Sequence, residues 1–242
     1  MAYIAKINGI AIADIAKING IAIANISKFN GIELASTEKN LISCEYAIDK
    51  IIVRSGSTST VTSSFNSPST RPMGLANDGT NLISIDRDAD KIYVHSGLST
   101  TITDSFSTPG GASTGLTYLN SNIISCDLTT DLIYIHTGKS ATITSTFNSP
   151  GPIPYGLTND GTNLISVDYT DDKIYVHSGL TTTITDSFST VAGNPTGLAY
   201  NGTNLASCDK GVNKIYIHTG ISATITSSFS SLNTDPSGLT YI

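Results

Sequence analysis

The chain has 242 residues and a mass of 25.3 kDa, enough for one large domain or two small ones with a core of normal size. Only 13% of its residues are charged, and 13 Lys and Arg against 19 Asp and Glu give a net charge of −6. This balance argues against a nucleic-acid partner, which requires a basic surface. Polar residues interrupt every apolar run well before the about 20 residues that cross a bilayer, so no membrane insertion is expected.

The N-terminal segment repeats Ile-Ala-Lys-Ile-Asn-Gly at a step of 11 residues. Asn-Gly stands at residues 8–9, 19–20 and 30–31, where both residue types tolerate the positive φ angles of a tight hairpin turn. Each turn therefore predicts a β-hairpin, with Ile18 opposite Ile21 in the second one. Two arrangements remain open, an up-and-down meander of nine-residue strands and a β-solenoid with one 11-residue coil per repeat.

In either arrangement the segment carries more apolar side chains than about 36 residues can bury by themselves. We therefore interpret residues 1–37 as an arm that docks on a partner surface. The predicted docking residues are Ile10, Ile12, Ile15, Ile18, Ile21, Ile23, Ile26 and Phe29.

From residue 38 onward a second repeat, of 41 residues, occurs five times. Its invariant positions include the glycines Gly74, Gly115, Gly156, Gly197 and Gly238 and the aromatic residues Phe65, Phe106, Phe147, Phe188 and Phe229. Within each unit, short segments rich in Ile, Val, Tyr and Thr alternate with Gly, Asn, Asp and Pro, which predicts four strands, a to d, per repeat.

Four short strands at a period near 40 predict a β-propeller blade, and propellers close with about 4–8 blades. The first unit lacks its strand a, whereas Gly238 to Ile242 forms a strand a that nothing follows. The C-terminal strand is therefore expected to complete the first blade, which leaves no open inner edge. The predicted fold is all-β, a five-bladed propeller over residues 38–242 behind the N-terminal arm.

Two resemblances follow from these motifs. Pro-x-Gly-Leu-Ala/Thr, followed by Ile-Ser-x-Asp-x-x-x-Asp-Lys-Ile-Tyr-Val, resembles NHL and YVTN-type propeller repeats over residues 40–242. That resemblance implies a fold but little about function, because such repeats serve enzymes, adhesins and scaffolds. The tandem 11-residue repeats of residues 4–35 resemble those that begin tailed-bacteriophage virion proteins. This second resemblance implies docking to other virion proteins, several copies per particle and assembly in the host cytoplasm.

Most residues with catalytic or ligating side chains recur at the 41-residue step, which predicts a structural role for them. His95, His136, His177 and His218 are equivalent to one another and to Arg54. Two acidic series are expected to bond turn amides, namely Glu45, Asp86, Asp127, Asp168 and Asp209, and Asp49, Asp90, Asp131 and Asp172 with Asn213. A calcium site at Asp86, Asp88 and Asp90 is the alternative for one unit.

The cysteines give the same indication. Cys44, Cys126 and Cys208 occupy one repeat position, where the other units have Ile85 and Val167, so each thiol is expected to replace a buried aliphatic side chain without a disulfide. Gly111 to Gly115 spells a nucleophile elbow, but it falls between strands rather than before a helix. We predict no catalytic residue, no metal and no cofactor.

The connections between strands differ in how much they vary. The a–b and c–d turns stay similar among the five units, whereas the b–c and d–a connections diverge and are expected on one face of the ring. This variable rim mixes aromatic and hydrogen-bonding groups suited to glycans, although neutral drift in solvated loops would produce variation too. The predicted rim residues are Tyr46, Arg71, Arg87, Asp88, Tyr155, Tyr169, Asp171, Asn194 and Lys210.

The sequence as a whole favours a non-enzymatic phage virion protein whose arm docks the propeller on the particle. The variable rim would then face outward, to decorate the surface or to bind host surface glycan. Two alternatives stay open. A glycan-degrading propeller enzyme would need carboxylates that meet at the central channel, and a cytoplasmic scaffold would gather protein partners on the same ring.

Overall fold

A computed structural model describes residues 38–242 in full and, before them, the backbone of six two-residue strands. The chain divides into two compact units, residues 1–39 and residues 40–242. The only helical element within residues 38–242 is one 3-10 turn, Tyr46–Ile48. No helix in the part that the structure describes has the length and apolar character needed to cross a membrane.

The arm strands flank the three Asn-Gly pairs. They are β1 (Lys6–Ile7), β2 (Ile10–Ala11), β3 (Lys17–Ile18), β4 (Ile21–Ala22), β5 (Lys28–Phe29) and β6 (Ile32–Glu33). They pair as three separate antiparallel hairpins, and Ile18 lies opposite Ile21 as the Asn-Gly pattern predicts. The side chains of the predicted docking residues, from Ile10 to Phe29, lie outside the described residues, as does the choice between meander and solenoid.

Residues 38–242 form five antiparallel sheets of four strands each, so the predicted five-bladed propeller is confirmed. Blade 1 contains β7 (Leu41–Glu45), β8 (Lys50–Arg54) and β9 (Val61–Asn66). Blade 2 contains β10 (Pro72–Asn77), β11 (Leu82–Asp86), β12 (Lys91–His95) and β13 (Ile102–Ser107). Blade 3 contains β14 (Ser113–Leu119), β15 (Asn122–Asp127), β16 (Leu132–His136) and β17 (Ile143–Asn148).

Blade 4 contains β18 (Pro154–Asn159), β19 (Leu164–Asp168), β20 (Lys173–His177) and β21 (Ile184–Ser189). Blade 5 contains β22 (Pro195–Tyr200), β23 (Leu205–Asp209), β24 (Lys214–His218) and β25 (Ile225–Ser230). The last strand of the chain, β26 (Pro236–Tyr241), is the inner strand of blade 1.

Strand β26 closes the ring by pairing with β7, as predicted. Gly238 lies opposite Cys44, and Asn40 and Ile242 exchange two backbone hydrogen bonds of 2.9 and 3.0 Å. The strand begins at Pro236, two residues before the predicted start, and its register shifts between Pro236 and Gly238. The other inner strands shift at the equivalent place, a bulge that suits a residue such as proline, which has no N–H to donate.

The inner strands pack so closely that the ring has no open channel. A Cβ on Gly156 would lie 2.7 Å from the Thr196 carbonyl oxygen and 3.0 Å from the Gly197 Cα, so the glycine at this position is required by the neighbouring backbone. The five equivalent glycines and the leucines that follow them line the axis and leave no room for a water molecule. The axis is therefore a packed core rather than a pore.

Aromatic contacts join neighbouring blades. The Phe of one outer strand approaches the His of the next blade, with ring centroids 5.9–6.1 Å apart in four places. At the fifth junction Arg54 replaces the histidine, and its guanidinium carbon lies 5.9 Å from the Phe229 ring centroid. Each repeat thus carries half of an inter-blade contact, which explains why Phe and His recur together.

Candidate functional site

The four histidines are buried within the blades, where a substrate cannot reach them. Each is 0% exposed, and in blade 2 the Ser84 hydroxyl lies 2.9 Å from His95 Nε2 while His95 Nδ1 lies 2.8 Å from the Ser99 carbonyl oxygen. Since a carbonyl only accepts, Nδ1 carries the proton and Nε2 accepts from the serine. Burial lowers the pKa of His95, which keeps the ring neutral, and the other three repeat this geometry.

Blade 1 replaces this pair with an ion pair. Arg54 donates to the Ser43 hydroxyl at 2.5 Å and to Glu45 Oε1 at 3.3 Å, and both charged side chains are fully buried. Burial raises the pKa of Glu45 and lowers that of Arg54. Glu45 has a longer side chain than the Asp that the other four units have at this position, and it also accepts the Leu232 N–H. The ion pair therefore links the first and the last repeat where the ring closes.

The first acidic series holds the variable connections together, as predicted. Asp127 accepts the N–H of Ala112 from the d–a connection at 2.8 Å and that of Thr129 from the b–c turn at 2.9 Å. Burial acts to raise the pKa of Asp127, but these hydrogen bonds prevail and lower it. Asp86, Asp168 and Asp209 bond the equivalent amides.

The second acidic series supplies turn geometry. Asp49, Asp90, Asp131, Asp172 and Asn213 all have φ between 51° and 57°, a region that Asp and Asn tolerate better than most residues. Within the part of the chain that the structure describes, no group of three acidic, His or Cys residues could hold a metal ion, including Asp86, Asp88 and Asp90.

The cysteines and the serine of the elbow sequence are also buried. Cys44, Cys126 and Cys208 are free thiols without solvent access, and burial raises the pKa of each to about 12, so all three are un-ionised at neutral pH. Ser113 lies within β14, is 1% exposed and donates to Asp127 Oδ2 at 3.4 Å. It therefore lacks both the exposure and the histidine partner of a nucleophile.

The b–c and d–a connections meet on one rim, as the repeat pattern predicts. In every blade the N–H of the residue after the second strand donates to the carbonyl of the residue before an inner strand, for example Arg87 to Arg71 at 3.1 Å and Lys210 to Asn194 at 3.1 Å. This hydrogen bond fixes the backbone at both positions, but it leaves both side chains free to differ.

A cavity of about 50 Å³ opens on this rim at the end of the axis. We call it the mouth cavity, and its lining residues are Tyr46, Arg71, Met73, Tyr155, Thr196, Lys210, Asp235, Pro236 and Ser237. All of these except Pro236 come from three repeat positions, which are the residue before each inner strand, the second residue of that strand and the residue after each second strand. We call these the mouth positions.

Two cations lie against aromatic rings here. The guanidinium carbon of Arg71 is 4.9 Å from the Tyr46 ring centroid, and Arg71 Nη1 is 3.3 Å from Asp88 Oδ1. Lys210 Nζ is 4.7 Å from the Tyr169 centroid and 5.6 Å from that of Tyr155. The aromatic faces thus hold the cationic groups beside the cavity.

Tyr155 is the least exposed aromatic residue of the cavity, at 7% exposure, and it packs on Tyr169 with centroids 5.5 Å apart. Burial raises the pKa of Tyr155 to about 12, although the nearby Arg87 and Arg71 act to lower it. The Tyr169 hydroxyl donates to Asn194 Oδ1. Tyr155 therefore keeps its hydroxyl proton and forms a fixed wall rather than a displayed platform.

Of the nine predicted rim residues, Tyr46, Arg71, Tyr155 and Lys210 line the cavity, and Asp88, Tyr169 and Asn194 hold these residues or their neighbours in place. Arg87 acts on Tyr155 through its charge. Asp171 points elsewhere, since it is exposed and accepts the Tyr175 hydroxyl at 2.7 Å.

Sequence reasoning missed Asp235 and the small residues Thr196 and Ser237. Asp235 occupies the same repeat position as Arg71 and Asn194, both of which were predicted. Comparing that position across all five units would have found it. Thr196 and Ser237 share the position of Tyr155, second in an inner strand.

No family model and no curated protein matches this sequence. Solved structures resemble it in fold. The glutaminyl cyclase of Myxococcus xanthus matches 70% of this chain and 69% of its own, with 12% identity and a TM-score of 0.54. U3-55K matches 81% of this chain and 63% of its own, with 14% identity and a TM-score of 0.52. A chain of the mitotic checkpoint complex matches 80% and 64%, with 14% identity and a TM-score of 0.50. At these identities the likeness shows the propeller fold alone.

Proposed function

We propose that the propeller is a non-enzymatic binding module that recognises a saccharide at the mouth cavity. The observation that carries this proposal is the distribution of variation among the repeats. Frame positions such as the axial glycine hold the same residue in all five units, whereas the three mouth positions hold mostly different ones. Eight of the fifteen side chains at these positions line the mouth cavity.

The chemistry of the cavity suits a sugar. Tyr46 is 37% exposed, and the part of its ring that Arg71 leaves uncovered offers an aromatic surface against which the C–H face of a sugar ring packs. Asp235 is partly exposed and offers carboxylate oxygens to sugar hydroxyls, whereas the Thr196 and Ser237 hydroxyls are buried and donate to the Pro236 and Pro72 carbonyl oxygens. A volume of about 50 Å³ holds one substituent of a sugar rather than a whole ring, so the rest of the ligand would lie on the outer rim around Tyr46.

Binding is favoured over hydrolysis by the placement of carboxylates. Glycoside hydrolysis uses a pair of carboxylates on either side of the scissile bond. The packed axis is lined by Gly and Leu with Met73 and Ser237, and Asp235 is the single carboxylate that lines the mouth cavity. The role on a virion, with the arm as docking segment, is supported by the resemblance of the 11-residue repeats.

A glycan array tests the binding function. Tyr46→Leu removes an aromatic face from the cavity and installs the residue that blade 3 has at the same position, Leu128, so the backbone is expected to accept it. Tyr200→Asn is the matched control, because Tyr200 lies at the end of its inner strand on the opposite rim, where blades 2 and 4 have Asn. We expect the wild type and the control to bind a common set of saccharides that the Tyr46 variant loses. An array without binding, or an unaffected Tyr46 variant, would overturn the proposal.

The virion role has its own test. Mass spectrometry of purified particles should detect the full chain. A chain without residues 1–37 should fold but be missing from the particles. Full-length protein found only free in the lysate would favour the cytoplasmic scaffold instead.

A further inference from the structure

We propose that the saccharide bound at the mouth cavity is anionic and places a carboxylate between Arg71 and Lys210. This inference rests on the proposed binding function and adds the charge of the ligand to it. The mouth positions carry three cations, Arg71, Arg87 and Lys210, and one carboxylate, Asp235, in a chain whose net charge is −6. Cations thus outnumber carboxylates at the mouth positions.

The cations have few anionic partners of their own. The ion pairs of the described residues include Arg54–Glu45, Arg71–Asp88 and Lys139–Asp78, and no carboxylate of the described residues pairs with Lys210. Arg71 uses only Nη1 in its pair, with an Asp88 side chain that is half exposed, and its buried Nε finds no partner in the described part of the chain. A carboxylate in the cavity would supply the missing acceptor for these donors.

Asp88 pairs with Arg71, and the remaining carboxylates of this rim apart from Asp235 do not line the cavity. Asp86, Asp127, Asp168 and Asp209 accept backbone N–H groups from both connections and line neither the cavity nor the axis. Asp171 is engaged by Tyr175. Asp235 is the carboxylate that lines the cavity. A sugar hydroxyl can donate to its oxygen, while the ligand's own carboxylate lies beside Arg71 and Lys210.

Acidic polysaccharides before and after carboxyl reduction provide the test. The probes are polygalacturonate, alginate, hyaluronan and polysialic acid, each in its native form and with its carboxylates reduced to alcohols, which leaves the sugar rings and linkages intact. We expect the full chain to bind at least one native polymer at least about tenfold more tightly than its reduced form. Raising the salt concentration from about 0.05 to about 0.5 M should weaken binding of the native polymer, since salt screens exposed charges.

Repeat-matched variants assign the effect to the cavity. Lys210→Leu and Arg71→Ala install the residues that blade 3 holds at the same positions, Leu128 and Ala112, and each should weaken binding of the native polymer about tenfold. Lys214→Leu is the control, because it makes the same charge change four residues away, where blade 3 has Leu132, and Lys214 does not line the cavity. This control should bind like the wild type.

Asp235→Asn gives the opposite sign. The amide still accepts a sugar hydroxyl but removes the one negative charge of the cavity, so binding of the acidic polymer should tighten or stay the same. Equal binding of native and reduced polymers, or loss of binding in Asp235→Asn with no change in Lys210→Leu, would overturn the anionic ligand. Binding of neutral glycans alone would overturn it too, yet leave the proposed saccharide function standing. Binding of neither class would contradict both.

Discussion

The two rims of the propeller are built from the same strands but hold their turns in different ways. On the a–b rim the turn side chain bonds its own loop, as where Asp78 Oδ1 accepts the N–H of Thr80 at 2.9 Å and that of Asn81 at 2.7 Å. Asp160 repeats this arrangement in blade 4 at 2.8 and 2.7 Å. On the opposite rim the carboxylate belongs to the last residue of the second strand, such as Asp127, and it accepts N–H groups from both the d–a and the b–c connection. The side chains of the residues next to it, Ala112 and Leu128, are therefore not needed for these hydrogen bonds.

This difference explains where variation can occur. A turn that depends on its own side chains loses hydrogen bonds when they change, and the a–b turns of blades 2 and 4 share the same four residues, at 77–80 and 159–162. A turn held by Asp127 from the strand end lets its neighbours Ala112 and Leu128 take any side chain. The residue before each inner strand and the residue after each second strand can therefore vary without loss of this hydrogen bond, and four of these residues, Tyr46, Arg71, Lys210 and Asp235, line the mouth cavity.

The largest loss of stability should follow from removing residues 236–242, which contain the closing strand β26 that runs between the two rims. Without β26, blade 1 loses its inner strand and the axis loses Gly238 and Leu239. We expect the truncated chain to lose cooperative thermal unfolding and to become sensitive to protease, while a chain without residues 1–37 keeps both properties. A truncated chain with an unchanged melting curve would show that ring closure does not hold the fold together.

Asp127→Ala removes the carboxylate behind one variable connection. Asp127 is buried and accepts the buried Ala112 N–H as well as the N–H and hydroxyl of the exposed Thr129, so we expect the free energy of unfolding to fall by about 3 kcal/mol. Asp127→Asn keeps one acceptor and should cost about half as much. Urea unfolding measures both variants, and equal stability of the Ala variant and the wild type would refute the role assigned to this carboxylate.

The histidines make stability depend on pH. Burial lowers the pKa of each of the four below its ordinary value of 6.5, so below that pH the unfolded chain binds more protons than the folded one. The free energy of unfolding should thus be greatest above about pH 6.5 and fall as the pH decreases to about 5. Glu45 and Asp49, whose pKa values are raised by burial, act in the opposite direction, but they are two groups against four. Urea unfolding across this range would contradict the account if stability rose towards acid.

The a–b rim carries an inter-blade ion pair, in which Lys139 Nζ of blade 3 lies 2.5 Å from Asp78 Oδ2 of blade 2. Burial acts to raise the pKa of Asp78, but Lys139 and the turn amides lower it from 3.8 to about 2. Its contribution should be complete above about pH 4 and be lost as the pH falls towards about 2. At neutral pH, Asp78→Asn should lower the free energy of unfolding by about 1 kcal/mol, because Lys139 is one-third exposed and partly screened.

Lys139→Leu supplies the matched partner for this ion pair, since blades 2 and 4 have Leu98 and Leu180 at that position. A double-mutant cycle of Lys139→Leu and Asp78→Asn should show that the two side chains stabilise the fold together by about 1 kcal/mol. Strict additivity of the two changes would show that the pair does not stabilise the fold.

The smallest effects on stability should come from the mouth positions. Lys210→Leu and Asp235→Asn use residues that other blades hold there, and each should change the free energy of unfolding by less than about 0.5 kcal/mol. A loss of several kcal/mol in either variant, measured by urea unfolding, would mean that the mouth positions serve the fold after all.

The sequence was sufficient for the architecture because its 41-residue period places every strand, turn and closing segment. It was less informative about the cavity. Tyr155 was expected to be displayed, but the second residue of an inner strand turns towards the axis, where neighbouring blades bury it. Asp235 was missed because it precedes the closing strand, whose neighbours belong to the other end of the chain. Convergence of side chains from distant repeats depends on ring geometry, which a repeat pattern does not contain.

The most direct test of the central claim is a crystal structure of the propeller with the saccharide that binds most tightly on the array. We expect the sugar at the mouth cavity, in contact with Tyr46, with its charged group beside Arg71 and Lys210. A saccharide bound between two blades or on the a–b rim, with the mouth cavity holding only water, would contradict it.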